Sequence, residues 1–312
     1  MKAYELFAII PAASIESNEG QLQHLTVGAY TAIFSSTARK AILLPVTRKQ
    51  ALMNAAKRQA ILESFIAQGP VIGCRPNVFL SKSEIAALIM CNGALLDQVR
   101  HRLSGMVQYQ ITVNWMADRV LDRFRDSPEL VELFQKGKVT PAAIKQSVTA
   151  LADRLSSQIE IELSNLSDEL LHLPRTEDML CNIVILLKQD HSSALDEAVE
   201  RIDSIWSEGF RIRQIGPAPA TSFALLDPES VSSGEVDAAL AHLGLPESFD
   251  TTDIAKERHK TLLSLPEQAA YTKRCACIAE AKFLAGRPDQ PVILCRALSE
   301  DQSLPPFEQQ VA

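Results

Sequence analysis

The sequence predicts an α+β protein of two domains followed by a helical extension, and three stretches carry that prediction. In GMVQYQITVNW, Gly105 to Trp115, the residues Val107, Tyr109, Ile111, Val113 and Trp115 fall on one face of an extended chain. Gln108, Gln110, Thr112 and Asn114 fall on the other, and this period of two marks a half-buried strand. From Ile144 through Val148, Leu151, Leu155, Ile159, Leu163 and Leu166 to Leu170, apolar residues recur every three or four positions, the stripe of the longest helix in the chain. Met179 to Leu187, MLCNIVILL, is apolar on both faces apart from Asn182, as in a central strand. At 312 residues the chain is long for one domain. The expected divisions are residues 1–104, 105–226 and 227–312.

In the first domain, Leu6 to Ile10 is a continuous apolar run closed by Pro11, a strand buried on both faces. Asn18, Glu19 and Gly20 mark a turn, and Gly28 to Ser35 alternates as an antiparallel neighbour of the first strand. A short strand is expected around Ala41 to Leu44. Leu52, Ala55, Ala56, Leu62 and Ile66 recur at helical spacing until Gly69-Pro70 stops them. GPVIGCRPNVF reads as a strand whose Pro76 places it at an edge or a bulge. Ser81-Lys82-Ser83-Glu84 is a capping-box sequence, opening a helix expected to run to about Arg102.

In the second domain, a helix from about Asp118 breaks near Ser127-Pro128, because proline lacks the amide and restricts its predecessor. Thr140-Pro141 starts the long helix, with the hydroxyl as cap and proline in the first turn. Ala194, Leu195, Ala198, Val199, Ile202, Ile205 and Trp206 form a further helical stripe stopped by Gly209, and Phe210 to Ile215 returns as a strand. The order strand, long helix, strand, helix, strand predicts a split βαβ sandwich of the ferredoxin-like kind. Ser222 to Leu226 is a candidate for one more strand.

Beyond it, DPESVSSG has the composition of a linker. Three helices are expected, Val236 to Leu245, Asp253 to Leu265 capped by Asp250 or Thr251, and Glu267 to Ala285. A short strand from Val292 to Ala297 and a polar tail with Pro305-Pro306 complete the reading.

Hydrophobic residues make up 46% and charged residues 22%, ordinary for a globular protein. The formal net charge of -7 disfavours non-specific binding to nucleic acid or anionic membrane. The basic residues Arg39, Lys40, Arg48, Lys49, Lys57 and Arg58 lack interleaved aromatics and are expected to form a solvated surface. The apolar run before Pro11 is too short for a signal peptide or a membrane span, which makes a cytoplasmic protein the expectation. Cys74, Cys91, Cys181, Cys275, Cys277 and Cys295 lie mostly in apolar stretches, as buried thiols in a reducing compartment do.

Chemistry has little foothold. His24, His101, His172, His191, His242 and His259 are scattered, with no pair at the helical spacing of a zinc site. Cys275 and Cys277, two apart on a helix, point in different directions. There is no nucleophile elbow, no P-loop and no glycine-rich dinucleotide motif. The adjacent Asp190-His191 reads as a helix start, and Glu160 and Glu162 as the solvent side of the long helix. No catalytic residue, metal or cofactor is expected.

Several segments, in order, resemble the gas vesicle protein family GvpF/GvpL: YELFAIIP near the start, GPVIGCRPNVF followed by SKSEIAALI, GMVQYQITVNW, and RIRQIGPAPATSF from Arg211 to Phe223. The last is similar to the family's glycine-proline, proline, serine-phenylalanine signature, although Ala218, Ala220 and Thr221 stand where an aromatic residue is common. The resemblance implies a two-domain fold with a ferredoxin-like second domain. It also implies a minor structural or assembly protein, not an enzyme, located in the cytoplasm or on the vesicle. Its implied partners are the major apolar shell protein of the GvpA type and other accessory gas vesicle proteins. An assembly factor for an apolar shell needs a surface that shields it, and Gly216, Pro217, Pro219, Ser222 and Phe223 are the candidate partner-binding residues, with Phe223 as the apolar contact. The tail stretch HLGLPESFDTTDIAKERHKTLLSLPEQ faintly resembles the opening helices of a J-domain co-chaperone, with Ser264-Leu265-Pro266-Glu267 where the defining histidine-proline-aspartate would stand. A J-domain-like adaptor is therefore the alternative, and a helical docking module is the expectation for Glu235 to Ala285.

Overall fold

The computed structural model describes residues 2–12, 22–35, 47–116, 118–135, 140–176, 178–287 and 290–298. The turn at Asn18 to Gly20, the strand at Ala41 to Leu44, the pair Arg39-Lys40 and the tail at Pro305-Pro306 lie outside these residues. The chain folds as α+β with two sheets and forms two compact units, Met1–Ser104 together with Phe223–Ala312, and Gly105–Ser222.

The first unit is built on β1 (Tyr4–Pro11), β2 (Leu22–Val27), β3 (Tyr30–Ser35), β4 (Ile72–Cys74) and β5 (Phe79–Leu80). β1 pairs antiparallel with β3 on one side and β4 on the other, and β2 extends the sheet through a hairpin with β3. Gly28, at φ +58, turns that hairpin. Between β3 and β4 runs α1 (Arg48–Glu63), capped by the Thr47 side chain, which accepts from the Gln50 amide. The helical spacing there points to Leu52 as a core residue, but Leu52 is 58% exposed and only Leu62 of α1 is buried. Leu62 and Phe65 pack with Phe7, Ile10, Ile33 and Val71 in one apolar cluster.

The capping box forms as expected: Ser81 Oγ accepts from the Glu84 amide at 3.3 Å while Glu84 Oε2 accepts from the Ser81 amide at 2.8 Å. The single helix expected to follow is two, α2 (Lys82–Cys91) and α3 (Gly93–Leu103). Asn92 separates them, because its buried amide donates at 2.8 Å both to Leu88 O and to Ile293 O. That second acceptor lies far along the sequence, where nothing local announces it.

Correction is needed for the segment after 222. β10 (Leu225–Val231) pairs parallel with β4, and β11 (Val292–Leu298) pairs antiparallel with β10, giving the order β11-β10-β4-β1-β3-β2, with β5 on β1. The stretch read as a linker is thus a sheet strand. Its Pro228 is tolerated because β10 meets β4 only at Leu225 and Leu226, leaving the proline's other side outside the ladder. β4 is consequently an interior strand, and Pro76 sits in the turn after it, where Asn77 adopts φ +62. α8 (Ser233–Leu243), α9 (Thr251–Ser264) and α10 (Ala269–Ala285) follow β10. Asp250 caps α9, accepting from the Thr252 and Asp253 amides. α10 packs on α2, β11 and α8, and the segment from Phe223 onward forms one compact unit with Met1–Ser104.

The second unit opens with β6 (Met106–Trp115), continues through α4 (Val120–Arg123), α5 (Pro128–Gln135) and α6 (Pro141–Ser164), then β7 (Leu170–His172), β8 (Met179–Lys188), α7 (Ser192–Ile205) and β9 (Phe210–Ala218). Its antiparallel sheet has the order β7-β8-β6-β9. Leu151, Leu155, Ile159 and Leu163 are fully buried, as the stripe on α6 requires. The helix stops six residues before the stripe does: Leu170 pairs with Ile185 as part of β7, and its apolar side chain continues the helical spacing only by coincidence of period.

All six cysteines are free. Cys275 is buried and Cys277 exposed, as their spacing on α10 demands. Burial pushes the thiols of Cys74 and Cys181 up to about 12. A thiol-specific aromatic disulfide added near neutral pH is therefore expected to label Cys277 first and to reach Cys74 and Cys181 only in denaturant. Equal labelling rates for the three in the native protein would contradict these positions.

Candidate functional site

The candidate segment begins at the end of β9. β9 follows β6 in register from Trp115↔Phe210 to Gln110↔Ile215, then shifts so that Gln108 meets Ala218. Gly216 occupies that irregularity at φ +140, and its peptide bond to Pro217 is cis. No side chain fits there. A Cβ on Gly216 would lie 2.6 Å from the Tyr109 ring and 2.8 Å from the Gln108 carbonyl oxygen. Beyond Ala218 the chain turns tightly, with the Thr221 amide donating to Pro219 O at 2.7 Å. The Ser222 amide donates to Gln108 Oε1 at 3.0 Å, which fixes the far end of the turn to β6.

The predicted site residues therefore divide. Gly216 and Pro217 are exposed, whereas Pro219 and Ser222 are buried. Phe223 is 3% exposed, so the expectation that its ring offers an apolar surface contact is corrected. What the structure does expose is the preceding strand: Arg211, Arg213, Gln214 and Ile215. The alternation of charged and apolar residues in RIRQI announces that exposure, and the proline-rich signature draws attention away from it.

On the same sheet face runs a row of polar side chains. Gln110 Nε2 donates to Asn182 Oδ1 at 2.8 Å, and Asn182 Nδ2 donates to Pro174 O at 2.8 Å. Near its end an open recess is lined by Asn114, Asp118, Thr176, Asp178 and Arg211, among others. Asn114 Oδ1 is buried there without a hydrogen-bond partner among the described residues. The recess holds two carboxylates and one guanidinium, too few ligands for a metal. Among the described residues no group of three or more His, Cys, Asp or Glu is placed to hold one. Asp190 and His191, 3.9 Å apart, are both exposed at the short turn before α7.

The basic residues on α1 also divide. Arg48, Lys49 and Lys57 are exposed, but Arg58 turns inward, its side chain 11% exposed. Among the described residues no helix is long and apolar enough to cross a membrane.

The family model described as gas vesicle synthesis protein GvpL/GvpF matches residues 6–224. No curated protein matches the chain. Among solved structures, the crystal structure of the gas vesicle protein GvpF from Anabaena sp. PCC7120 is similar at 20% identity and TM-score 0.56, covering 71% of this chain and 95% of that one. The crystal structure of gas vesicle protein GvpF from Microcystis aeruginosa is similar at 17% identity and TM-score 0.54, covering 71% and 98%.

Proposed function

Since this chain belongs to the GvpL/GvpF family of gas vesicle synthesis proteins, we propose that it is an accessory protein of gas vesicle formation that binds the apolar shell protein and other gas vesicle proteins, without catalysing a reaction. The observation that carries the proposal is the family match itself, which runs from β1 through the whole second unit. The element order of the second unit supports the ferredoxin-like reading: strand, helices, two strands, helix, strand, with the first and third strands central.

The physical task explains why such a protein would be needed. A shell subunit with a large apolar face aggregates unless that face, or the strand edges beside it, is covered before assembly. The partner-binding segment in this reading is Gly216 to Phe223. Gly216 and Pro217 make the contact, and the buried Pro219, Ser222 and Phe223 anchor its end. Its place is the cytoplasm during assembly or the vesicle surface.

Co-expression of the tagged full-length chain with the shell protein tests the reading. The shell protein is expected to co-purify with the wild-type chain and to be depleted by Pro217→Glu, which sets a charge at the exposed contact. A folded wild-type protein that retains no gas vesicle protein overturns the functional proposal, while unchanged capture by Pro217→Glu removes only the segment.

A further inference from the structure

Strand β9 lies at one side of its sheet and, among the described residues, is bonded only to β6. Which of its backbone groups face outward follows from two hydrogen bonds at the ends of β6. The Met116 amide donates to Gly209 O at 3.0 Å, and the Gln189 amide donates to Gly105 O at 2.9 Å. Bonded and non-bonded pairs alternate in an antiparallel ladder. Even-numbered residues of β6 therefore bond to β9 and odd-numbered ones to β8. Asn114 with Arg211, Thr112 with Arg213 and Gln110 with Ile215 are then the bonded pairs. Ile212 and Gln214 turn their N–H and C=O groups to the open edge, where they meet no partner among the described residues.

The side chains along this edge are as specific as its backbone. Arg211, Arg213 and Ile215 share one face, by strand alternation. Ile215 is 39% exposed. Arg201 and Arg274 each hold a carboxylate at 2.8 Å. Arg211 and Arg213 have none within ion-pair reach among the described residues, although Asp118 and Asp178 share the recess with Arg211. On the opposite face Gln214 Nε2 donates to Asp196 Oδ1 at 3.3 Å, so that side is already acidic. The edge stops at Pro217, which has no amide to offer.

We propose that this edge is a docking site for an extended acidic segment of a partner polypeptide, which adds to β9 as a further strand. The segment bonds through its backbone to Ile212 and Gln214, sets carboxylates opposite Arg213 and Arg211, and places an apolar side chain opposite Ile215. Its residues on the Asp196 side are uncharged. Charges on edge strands also discourage indiscriminate pairing. Two adjacent arginines do so against neutral strands and against a second copy of β9, whose arginines would oppose these, while they select an acidic strand. The proposal deepens the assembly reading by naming a partner chemistry, and it rests on that reading only for who the partner is.

The test uses fluorescence anisotropy of the full chain with short labelled peptides alternating glutamate and valine, or lysine and valine. The glutamate peptide is expected to bind, more weakly at high salt. Affinity should fall on the order of tenfold in the Arg211→Glu, Arg213→Glu double variant, which should bind the lysine peptide instead. Methylating the peptide amides that face β9 should abolish binding, and methylating the alternate amides should not. Failure of the glutamate peptide to bind, equal binding to the double variant, or indifference to which amides are methylated overturns the proposal. Shell-protein capture is read separately. Peptide binding without capture sinks the assembly reading alone, and capture without peptide binding sinks this one alone.

Discussion

Replacing Arg58 with methionine is expected to lower the stability of the first unit by ~3–5 kcal/mol, the usual cost of removing one partner from a buried ionic network. The guanidinium, on α1, donates to Phe7 O at 3.1 Å, to Leu6 O at 3.4 Å and to Cys74 O, and pairs with Glu5 at 3.4 Å. It also lies 5.3 Å from the centre of the Phe7 ring. One side chain thus ties a helix to two neighbouring strands, β1 and β4. Burial lowers its pKa, against the opposing pull of Cys74 and Glu5, which is the mark of a charge whose hydration has been replaced by carbonyl oxygens. Methionine fills the volume but leaves the Glu5 carboxylate beside it without its cation. Urea unfolding measures the loss, and Arg58→Met with Glu5→Gln should recover part of it. A loss below ~1 kcal/mol would place Arg58 among ordinary surface arginines.

Gly216→Ala is expected to cost ~2–4 kcal/mol and to act on the second unit. The residue stands at φ +140, and the new Cβ would meet the Tyr109 ring and the Gln108 carbonyl well inside contact distance. Neither neighbour has room to yield, since Tyr109 is 4% exposed and the carbonyl belongs to the β6 backbone. Gly234→Ala is the control: it lies in α8 with nothing within 4 Å of the added atom. That change should be neutral or slightly stabilising, by up to ~1 kcal/mol. Similar melting curves for the two variants would refute the close packing of Gly216.

Local signals were legible in the sequence wherever the physics is local. The period of two in Val107 to Trp115, the Thr140-Pro141 start and the Ser81 to Glu84 capping box each depend on residues a few positions apart, and each appears in the structure. What stayed hidden depends on partners far away. Pro228 looks like a linker residue until β11 is seen to pair with its strand. Asn92 looks like a mid-helix residue until Ile293 O claims its amide. Arg58 stands next to Lys57 in a helix with many exposed residues, and only the packing of α1 on β1 turns it inward. At the candidate site the glycine and prolines were visible, but a sequence does not say which of two neighbours, Pro217 or Phe223, meets solvent. The edge of β9 was missed because a strand's free side is a property of the sheet and not of the strand.

The return of β10 and β11 to the sheet begun by β1 has a bearing on how the molecule comes to be made. Residues 105–222 form their unit from contiguous chain, so they are able to fold as they leave the ribosome, before the remainder has been synthesised. The amino-terminal sheet has no such freedom. Its β4, paired with β1, lacks its second neighbour until Leu225 and Leu226 arrive, and the outermost strand is finished only at Leu298. The half of the protein that is translated first is therefore the half that is completed last.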